Sequence, residues 1–356
     1  MNVSNPVAVL LCLGGMVLVG SSVSISQLVL DYPHLTGQAA RYALAAAVLF
    51  ALVRRFPGLL AGGTPPPGRP NRRELVMLTA LALTGMAGFN ACILVALPHA
   101  DAAVVGTFIG AAPLGLALLG PLTGGRRPAV RLVAAAGIVV AGTALVQGSG
   151  RADAIGIVAS LGAFGGEIAF SLLAAAVLPR LGPVRVAAWS CALAVPLLLV
   201  AAIPAGELGR LRLPTGTETA AFGYLAAMMT VVAFLAWFTG LRKLGVERAG
   251  VLVGVMPIAT LLTAAVQAGR LPDPGQTAGV LVAAVGIAVG LGAGRRRDRA
   301  PAGDAPAART GQREPPGRIG GGAGGGGGGG GGDGDGGGDG PRPGAGIVPR
   351  RAGHRP

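Results

Sequence analysis

Apolar stretches long enough to cross a lipid bilayer recur along the chain from Val7 to Gly294. A helix of about 17–25 residues covers the ~30 Å hydrocarbon core. Spanning segments are helices or closed barrels, because lipid offers no partner to a backbone N–H or C=O group. These stretches are too long and too uniformly apolar for barrel strands. The ten predicted transmembrane helices are residues 7–29, 36–53, 75–97, 102–123, 130–147, 154–178, 184–205, 219–241, 249–268 and 275–294.

The bulk composition agrees with a chain that lies in lipid. Hydrophobic residues make up 52% of the 356 residues and charged residues only 12%, whereas a soluble domain carries about 25% charged residues. Aromatic residues are scarce at 4%, so the apolar bulk is Ala, Val, Leu and Gly, which suits closely packed membrane helices. A cytosolic enzyme, a secreted disulfide scaffold and a fibrous protein are excluded. The chain is predicted to be an all-α integral membrane protein.

The cysteines and the net charge do not indicate a metal, a cofactor or a nucleic acid. Cys12, Cys92 and Cys191 each lie inside an apolar stretch, and an odd count without CxxC spacing predicts neither disulfides nor a metal site. The net charge is +14, but the basic residues are spread over short loops and a C-terminal tail. Nucleic-acid binding proteins instead cluster them on one face.

The loops between the predicted helices carry their positive charge asymmetrically. The loops after helices two, four, six and eight hold thirteen Lys and Arg residues, and the loops and helix ends on the opposite side hold five. The positive-inside rule therefore predicts that both termini are cytoplasmic. We expect a multi-pass protein of the cell membrane that retains its first helix, because no basic segment precedes that helix as in a signal peptide.

An internal repeat relates the two halves of the chain. A shift of 144 residues superposes Pro113 on Pro257 and the block Gly125-Arg126-x-Pro on Gly269-Arg270-x-Pro. Five is an odd number of helices, so a second five-helix copy is inverted relative to the first. Inverted repeats are common in secondary transporters, where exchange of conformation between the halves gives alternating access. The predicted domains are residues 1–147 and 154–294 for the two repeats and 295–356 for a disordered Gly/Arg-rich cytoplasmic tail.

The sequence resembles the EamA-like family of the drug/metabolite transporter superfamily. The resemblance rests on the five-plus-five organisation, on the hexapeptide at 41–46 (RYALAA), and on the prolines of the fourth and ninth helices. The segment 19–22 (VGSS) is similar to the family's tryptophan–glycine–serine signature but lacks the tryptophan. Gly125-Arg126 and Gly269-Arg270 stand where the family usually has glycine–glutamate. The resemblance implies a carrier with a central cavity formed by helices one to four and six to nine, which moves small metabolites, amino acids or drugs, often outward.

Glu167 is the one carboxylate that the sequence places near the middle of the membrane. It lies 13 residues into the sixth predicted helix and 11 from its end. An acid at this depth costs about 2.5–3.5 kcal/mol, so it normally faces a cavity or a partner. Ser160, Phe164 and Ser171 share its helical face. We predict a protonatable site that binds an ammonium group or couples transport to protons, and the alternative is a protonated side chain that hydrogen-bonds a neighbouring helix.

Five other residues are candidates for a substrate site, four of them with a structural alternative. Ser22 and Ser26 share a face of the first helix, but membrane serines often bond back to their own backbone. Asn90, in the middle of the third helix, either lines the cavity or links two helices. Trp237 in the eighth helix either lines the cavity or lies in the core or at the interface. Ser171 lies on the same face of the sixth helix as Glu167.

Arg41 is predicted at the outer start of the second helix. There it attracts an anionic substrate, pairs with Asp31, or extends its side chain to the interface, which is the interpretation that we favour. His34 and His99 are expected to be solvated residues at outer helix ends.

Glycine and proline residues of the fourth and ninth helices are predicted to combine close packing with a bend. The two GxxxG pairs allow close helix contact, and a proline in each helix breaks or kinks its second half. The residues are Gly106, Gly110, Pro113, Gly250, Gly254 and Pro257.

The function predicted from the sequence is secondary active transport of a small metabolite, amino acid or drug-like solute, with export as the expected direction. The only lysine, Lys243, follows no glycine-rich phosphate loop, so the sequence contains no Walker A motif. The predicted partners are a small-molecule substrate, the lipid bilayer and protons, and a homodimer is left open. A lipid-carrier flippase on the same fold is the alternative. An intramembrane protease is disfavoured, because HExxH, paired intramembrane aspartates and a membrane-embedded histidine are all missing from the sequence.

Overall fold

All regular secondary structure in residues 6–56 and 69–297, the part that the computed structural model describes, is helical. These residues belong to one compact unit. Nine helices in this part are long and apolar enough to cross a membrane. They run over Pro6–Ser26 (α1), His34–Arg55 (α2), Arg72–Ala96 (α3), Ala102–Thr123 (α4), Val130–Gln147 (α5), Ala154–Ala202, Gly216–Leu244, Val246–Ala268 and Pro274–Arg297.

The sixth of these helices contains two membrane spans. Ala154–Ala202 has 49 residues, which is about 74 Å at 1.5 Å per residue and far exceeds the ~30 Å hydrocarbon core. Gly182 interrupts it with φ 75° and ψ 164°, a conformation that a side chain would strain. The chain therefore turns at Gly182 and crosses twice, as α6 (residues 154–181) and α7 (183–202). The last three helices are then α8 (Gly216–Leu244), α9 (Val246–Ala268) and α10 (Pro274–Arg297).

The ten spans confirm the predicted all-α membrane fold, with small differences at the helix ends. The final helix continues to Arg297, so residues 295–297 of the predicted tail are helical. The rest of the tail lies outside the described residues, as does the proline-rich segment at 57–68. Large apolar side chains cover the outside of the bundle, including Leu10 at 66% exposed and Val158 at 69%. Such a surface requires a lipid environment.

The backbone repeats its irregularities in the two halves. A π-helical segment occupies Ala82–Gly88 in α3 and Leu225–Val232 in α8. A capping box opens each of these helices, with Asn71 and Glu74 in α3 and Thr215 and Glu218 in α8. Glu74 and Glu218 are 144 residues apart, so the sequence repeat is also a structural repeat.

The contact between α5 and α10 shows that the repeat is inverted. Gly142 of α5 packs on the backbone of Gly279 and Ala283, and Gly286 of α10 packs on the backbone of Ala135 and Val139. Each residue of the first contact is 144 positions away from the equivalent residue of the second contact, so the two contacts are copies of each other. Residue numbers rise along one helix as they fall along the other, so equivalent helices meet antiparallel. The two-fold axis that relates them is perpendicular to the helices and therefore lies in the membrane plane.

The first helix of each half packs on the third and fourth helices of the other half. Gly15 of α1 lies against Ala233 and Trp237 of α8, and Gly20 lies against Met256 of α9. In the other half, Gly166 of α6 lies against the carbonyl of Thr84 in α3, and Ile168 of α6 reaches Gly115 of α4. These reciprocal contacts join the two halves around the centre of the bundle.

The glycine contact between α5 and α10 leads to a first prediction. A Cβ at Gly142 would lie 2.7 Å from the carbonyl oxygen of Gly279, closer than real contacts allow. We expect Gly142→Ala to lower the free energy of unfolding by about 1–3 kcal/mol through overpacking. Thermal unfolding of the purified protein in detergent measures the effect.

Gly137→Ala is the matched control on the same helix. Its Cβ would meet nothing within 4 Å, and Ala is favoured over Gly in helices by about 0.8–1.0 kcal/mol. This variant should be at least as stable as the native protein. Equal unfolding temperatures for the two variants would contradict the close contact.

Candidate functional site

A buried polar cluster lies on one face of α2. The cluster contains His34, Gln38 and Arg41. Their spacings of four and three residues place them on the same helical face. Each has a buried side-chain atom without a hydrogen-bond partner in the described part of the chain, namely His34 Nε2, Gln38 Oε1 and Arg41 Nε. Buried polar groups are nearly always paired, so this cluster is the strongest sign of a ligand site in the bundle.

Arg41 lies inside the protein rather than at its surface. Its helix begins at His34, so Arg41 is seven residues and about 10 Å into α2. It is 6% exposed. The guanidinium Nη1 is 3.2 Å from Met229 Sδ on α8, and the guanidinium carbon is 4.6 Å from the ring centre of Tyr42. No ion pair joins it to any carboxylate among the described residues, Asp31 included. The favoured prediction of a side chain that extends to the interface is therefore wrong, because the guanidinium packs against α8 inside the bundle.

Asn90 joins this cluster from α3. It is 8% exposed, and its Nδ2 donates to the carbonyl of Met86 at 2.7 Å. Its side chain lies next to His34, which is also close to Arg41 and Glu207. His34 is therefore half-buried in a polar environment and is not the solvated loop residue that the sequence predicts.

Glu207 anchors the start of α2, and the sequence analysis missed it. Its two carboxylate oxygens accept from the backbone N–H groups of Leu35 and Thr36, each at 2.9 Å, and from the Thr36 hydroxyl at 3.1 Å. The carboxylate, 2% exposed, belongs to the loop between α7 and α8. A negative charge at a helix N-terminus stabilises it, so Glu207 links the two halves and is committed to α2 rather than to Arg41.

Glu167 faces into the bundle from α6. Val158 and Leu161 mark the exposed face of this helix, and Glu167 lies on the opposite face, half-buried. One turn further, Phe170 lies 5.4 Å from the ring centres of both Phe234 and Phe238 on α8. No hydrogen bond or ion pair involves the carboxylate of Glu167 within the described chain.

Comparison with known proteins identifies the family. The model of the EamA-like transporter family matches twice, over residues 6–148 and 154–291. The chain belongs to the EamA-like transporter family. The uncharacterized transporter YdeK of Bacillus subtilis is 31% identical over 59% of this chain and 74% of its own length. The uncharacterized transporter YetK of the same organism is 21% identical over 70% of this chain and 76% of its own length.

A solved structure has the same fold. A crystal structure of a protein that is 20% identical superposes with a TM-score of 0.66 and covers 83% of this chain and 100% of the other. The likeness shows the fold alone. With the family match and the apolar helices, this chain is a multi-pass membrane transporter, and the two family matches correspond to the two inverted halves.

The other sequence candidates in this EamA-family protein are distributed through the bundle. Ser22 Oγ donates to the carbonyl of Leu18 at 2.6 Å, and Ser26 Oγ donates to that of Ser22 at 3.0 Å, so both hydroxyls bond to their own helix. Ser171 is fully buried, and its Oγ is without a partner among the described residues. Trp237, 3% exposed, lies in the hydrophobic core.

The glycines and prolines of α4 and α9 lie near a break in each helix. Gly110 packs on Thr143 of α5 and Gly250 on Leu116 of α4, while Gly106 faces the side chain of Gln147 and Gly254 faces Val139. The helix of α4 is interrupted at Ala111 and that of α9 at Val253–Gly254. Each break precedes its proline, Pro113 or Pro257, because a proline clashes with the carbonyl four residues earlier. The breaks fall in the middle of α4 and the first half of α9, not in the predicted second halves.

Contacts between the halves lie at both ends of the bundle. At the basic end, where the loops after α2, α4, α6 and α8 lie, Arg180 pairs with Glu74, and Arg126 pairs with Glu247 at 2.5 Å. At the opposite end, Glu207 holds α2, and Tyr32 packs edge-to-face on Phe222 at 5.3 Å.

A further contact at the opposite end joins the loop before α4 to the start of α6. His99 Nδ1 is 2.8 Å from Asp153 Oδ2. The Gly156 amide, with a smaller contribution from His99, lowers the pKa of the Asp153 carboxyl below its usual range. Among residues 6–56 and 69–297, no group of three or more His, Cys, Asp or Glu side chains could hold a metal ion.

The cap on α2 leads to a second prediction. In Glu207→Gln a single amide oxygen replaces two carboxylate oxygens that serve three donors. We expect the free energy of unfolding to fall by about 1–3 kcal/mol, because at least one buried backbone N–H loses its partner. Thermal unfolding in detergent measures the loss.

Asp31→Asn is the control, since it removes an exposed carboxylate at the same end of the bundle. The role of Glu207 as a cap is refuted if both variants unfold at the native temperature.

Proposed function

We propose that this EamA-family protein is a secondary active transporter that moves a small solute across the cell membrane by alternating access. The observation that carries the proposal is the inverted repeat, most directly the antiparallel contact of α5 with α10. Two halves of equivalent structure can exchange conformations, which opens the central site to one side and then to the other.

The contacts at the two ends are suited to such a cycle. Arg180 with Glu74 and Arg126 with Glu247 join the halves at the basic end, and Glu207 with the start of α2 joins them at the opposite end. In the proposed cycle one set opens while the other stays closed. The breaks at Ala111 and Val253–Gly254 supply hinges in α4 and α9.

The basic end is proposed to face the cytoplasm. A cavity of about 1290 Å³ opens there between α2 and α7, with Arg54, Arg55 and Arg185 at its edge beside Phe50 and Trp189. Arginines next to an aromatic pair suit the anionic headgroups of a cytoplasmic leaflet. The direction of transport that we propose is export, as the family resemblance implies.

Glu167 is proposed to couple transport to protons. It is an inward-facing carboxylate without an ion-pair partner in the described residues, and the chain carries no Walker A motif for ATP. An intramembrane acid of this kind typically marks a proton or substrate pathway.

The third prediction concerns Glu167→Gln. Cells that express the native protein should release at least one small solute in a larger amount than cells with an empty vector. In proteoliposomes, a pH gradient should drive accumulation of that solute by the native protein. Glu167→Gln should reduce this accumulation about tenfold or more while exchange of solute for solute continues, because the amide cannot carry the proton.

Asp273→Asn, which removes an exposed carboxylate at the opposite end, should behave like the native protein. Equal pH-driven accumulation by native protein and Glu167→Gln would refute proton coupling through Glu167. If no solute is released but a labelled lipid crosses the membrane, the protein is a flippase instead.

A further inference from the structure

We propose that Arg41 binds a carboxylate group of the transported solute, which is therefore a small carboxylic acid. This inference rests on the proposed transporter function and identifies its substrate class. Arg41 has no ion-pair partner in the described structure, and its Nε is buried without a hydrogen-bond acceptor.

The environment of Arg41 offers its charge no direct ion-pair partner among the described residues. The guanidinium contacts the sulfur of Met229 and the ring of Tyr42, which are weak partners for a cation. Glu207 lies near the cluster but gives both oxygens to the start of α2. A buried ion without a counter-ion is strongly unfavourable, so an anionic ligand would remove this cost.

The depth of Arg41 is that of a substrate site rather than of an interfacial anchor. Its helix has 22 residues, or about 33 Å, and Arg41 lies about 5 Å from the middle of that length. At this depth Arg41 is 6% exposed, so its charge serves something inside the bundle.

The chemistry of the cluster favours a carboxylate. A guanidinium presents parallel N–H donors that match the two oxygens of a carboxylate. Arg41 is the only Lys or Arg in α2 before Arg54, so a single positive charge suits a monoanion better than a phosphate. On the same face, Gln38 Oε1 is an unused acceptor. The preferred ligand therefore carries an N–H or O–H donor beside its carboxylate.

The two other unpaired atoms support a site rather than an isolated charge. His34, Gln38 and Arg41 fall within about 60° of arc and 10 Å of axis on α2. Asn90 lies next to His34 from α3, and Met229 reaches Arg41 from α8. The site thus combines helices of both halves, as alternating access requires.

The test compares solute release from cells that express native protein, Arg41→Met or Arg41→Lys at equal membrane abundance. The probe is the pool of small solutes in the cell, measured by mass spectrometry. We expect every solute that depends on the native protein to carry a carboxylate. Arg41→Met should reduce its release about 10- to 100-fold, the effect of losing a charge-assisted hydrogen bond. Arg41→Lys should retain part of it.

A second measurement uses purified protein in proteoliposomes with the identified acid and its neutral carboxamide. The native protein should prefer the acid, and Arg41→Met should lose this preference while it still exchanges the carboxamide. A released solute without a carboxylate, or an unchanged preference in Arg41→Met, overturns the role of Arg41 but leaves the transporter proposal intact. If the native protein releases no solute, the proposed function itself fails.

Discussion

The structure depends on close contact between helix backbones at glycine. In lipid each helix satisfies its own backbone hydrogen bonds, and burial of apolar side chains gives no advantage over contact with lipid tails. What holds helices together is therefore the fit of their surfaces. Gly142 and Gly286 allow α5 and α10 to meet backbone to backbone. Gly15, Gly20 and Gly166 do the same for the helices that interlock the two halves.

This mode of packing leaves few polar contacts, and those present are concentrated where the halves meet. Pairs such as Arg180 with Glu74 lie at the basic end, and Glu207 lies at the opposite end. In the proposed transport cycle these contacts form and break in turn at the two ends.

The polar cluster on α2 departs from the rule that buried polar groups are paired. Arg41 Nε, Gln38 Oε1 and His34 Nε2 are buried and without partners in the described structure. Folding alone gives no advantage to such an arrangement, because each unpaired group raises the free energy of the folded state. The other buried unpaired atoms of the described residues are the separate hydroxyls of Thr143, Ser171 and Ser190. Unsatisfied groups gathered on one helix face are typical of a ligand site, where a bound molecule supplies the missing partners. Glu167, half-buried and without an ion-pair partner among the described residues, is a second inward-facing polar group, from the other half of the chain.

The sequence by itself determined the ten spans, their membrane character and the repeat, because apolar length and the 144-residue spacing are local or periodic properties. It also brought Glu167, Asn90 and Arg41 into consideration, since a polar residue in an apolar stretch is visible without a structure. Only the tertiary structure decided what surrounds them. The sequence suggested that Arg41 is interfacial, whereas its burial depends on packing against Met229 of α8. Glu207 was missed because its partners, Leu35 and Thr36, are more than 170 residues away in sequence, and no local pattern encodes such a contact.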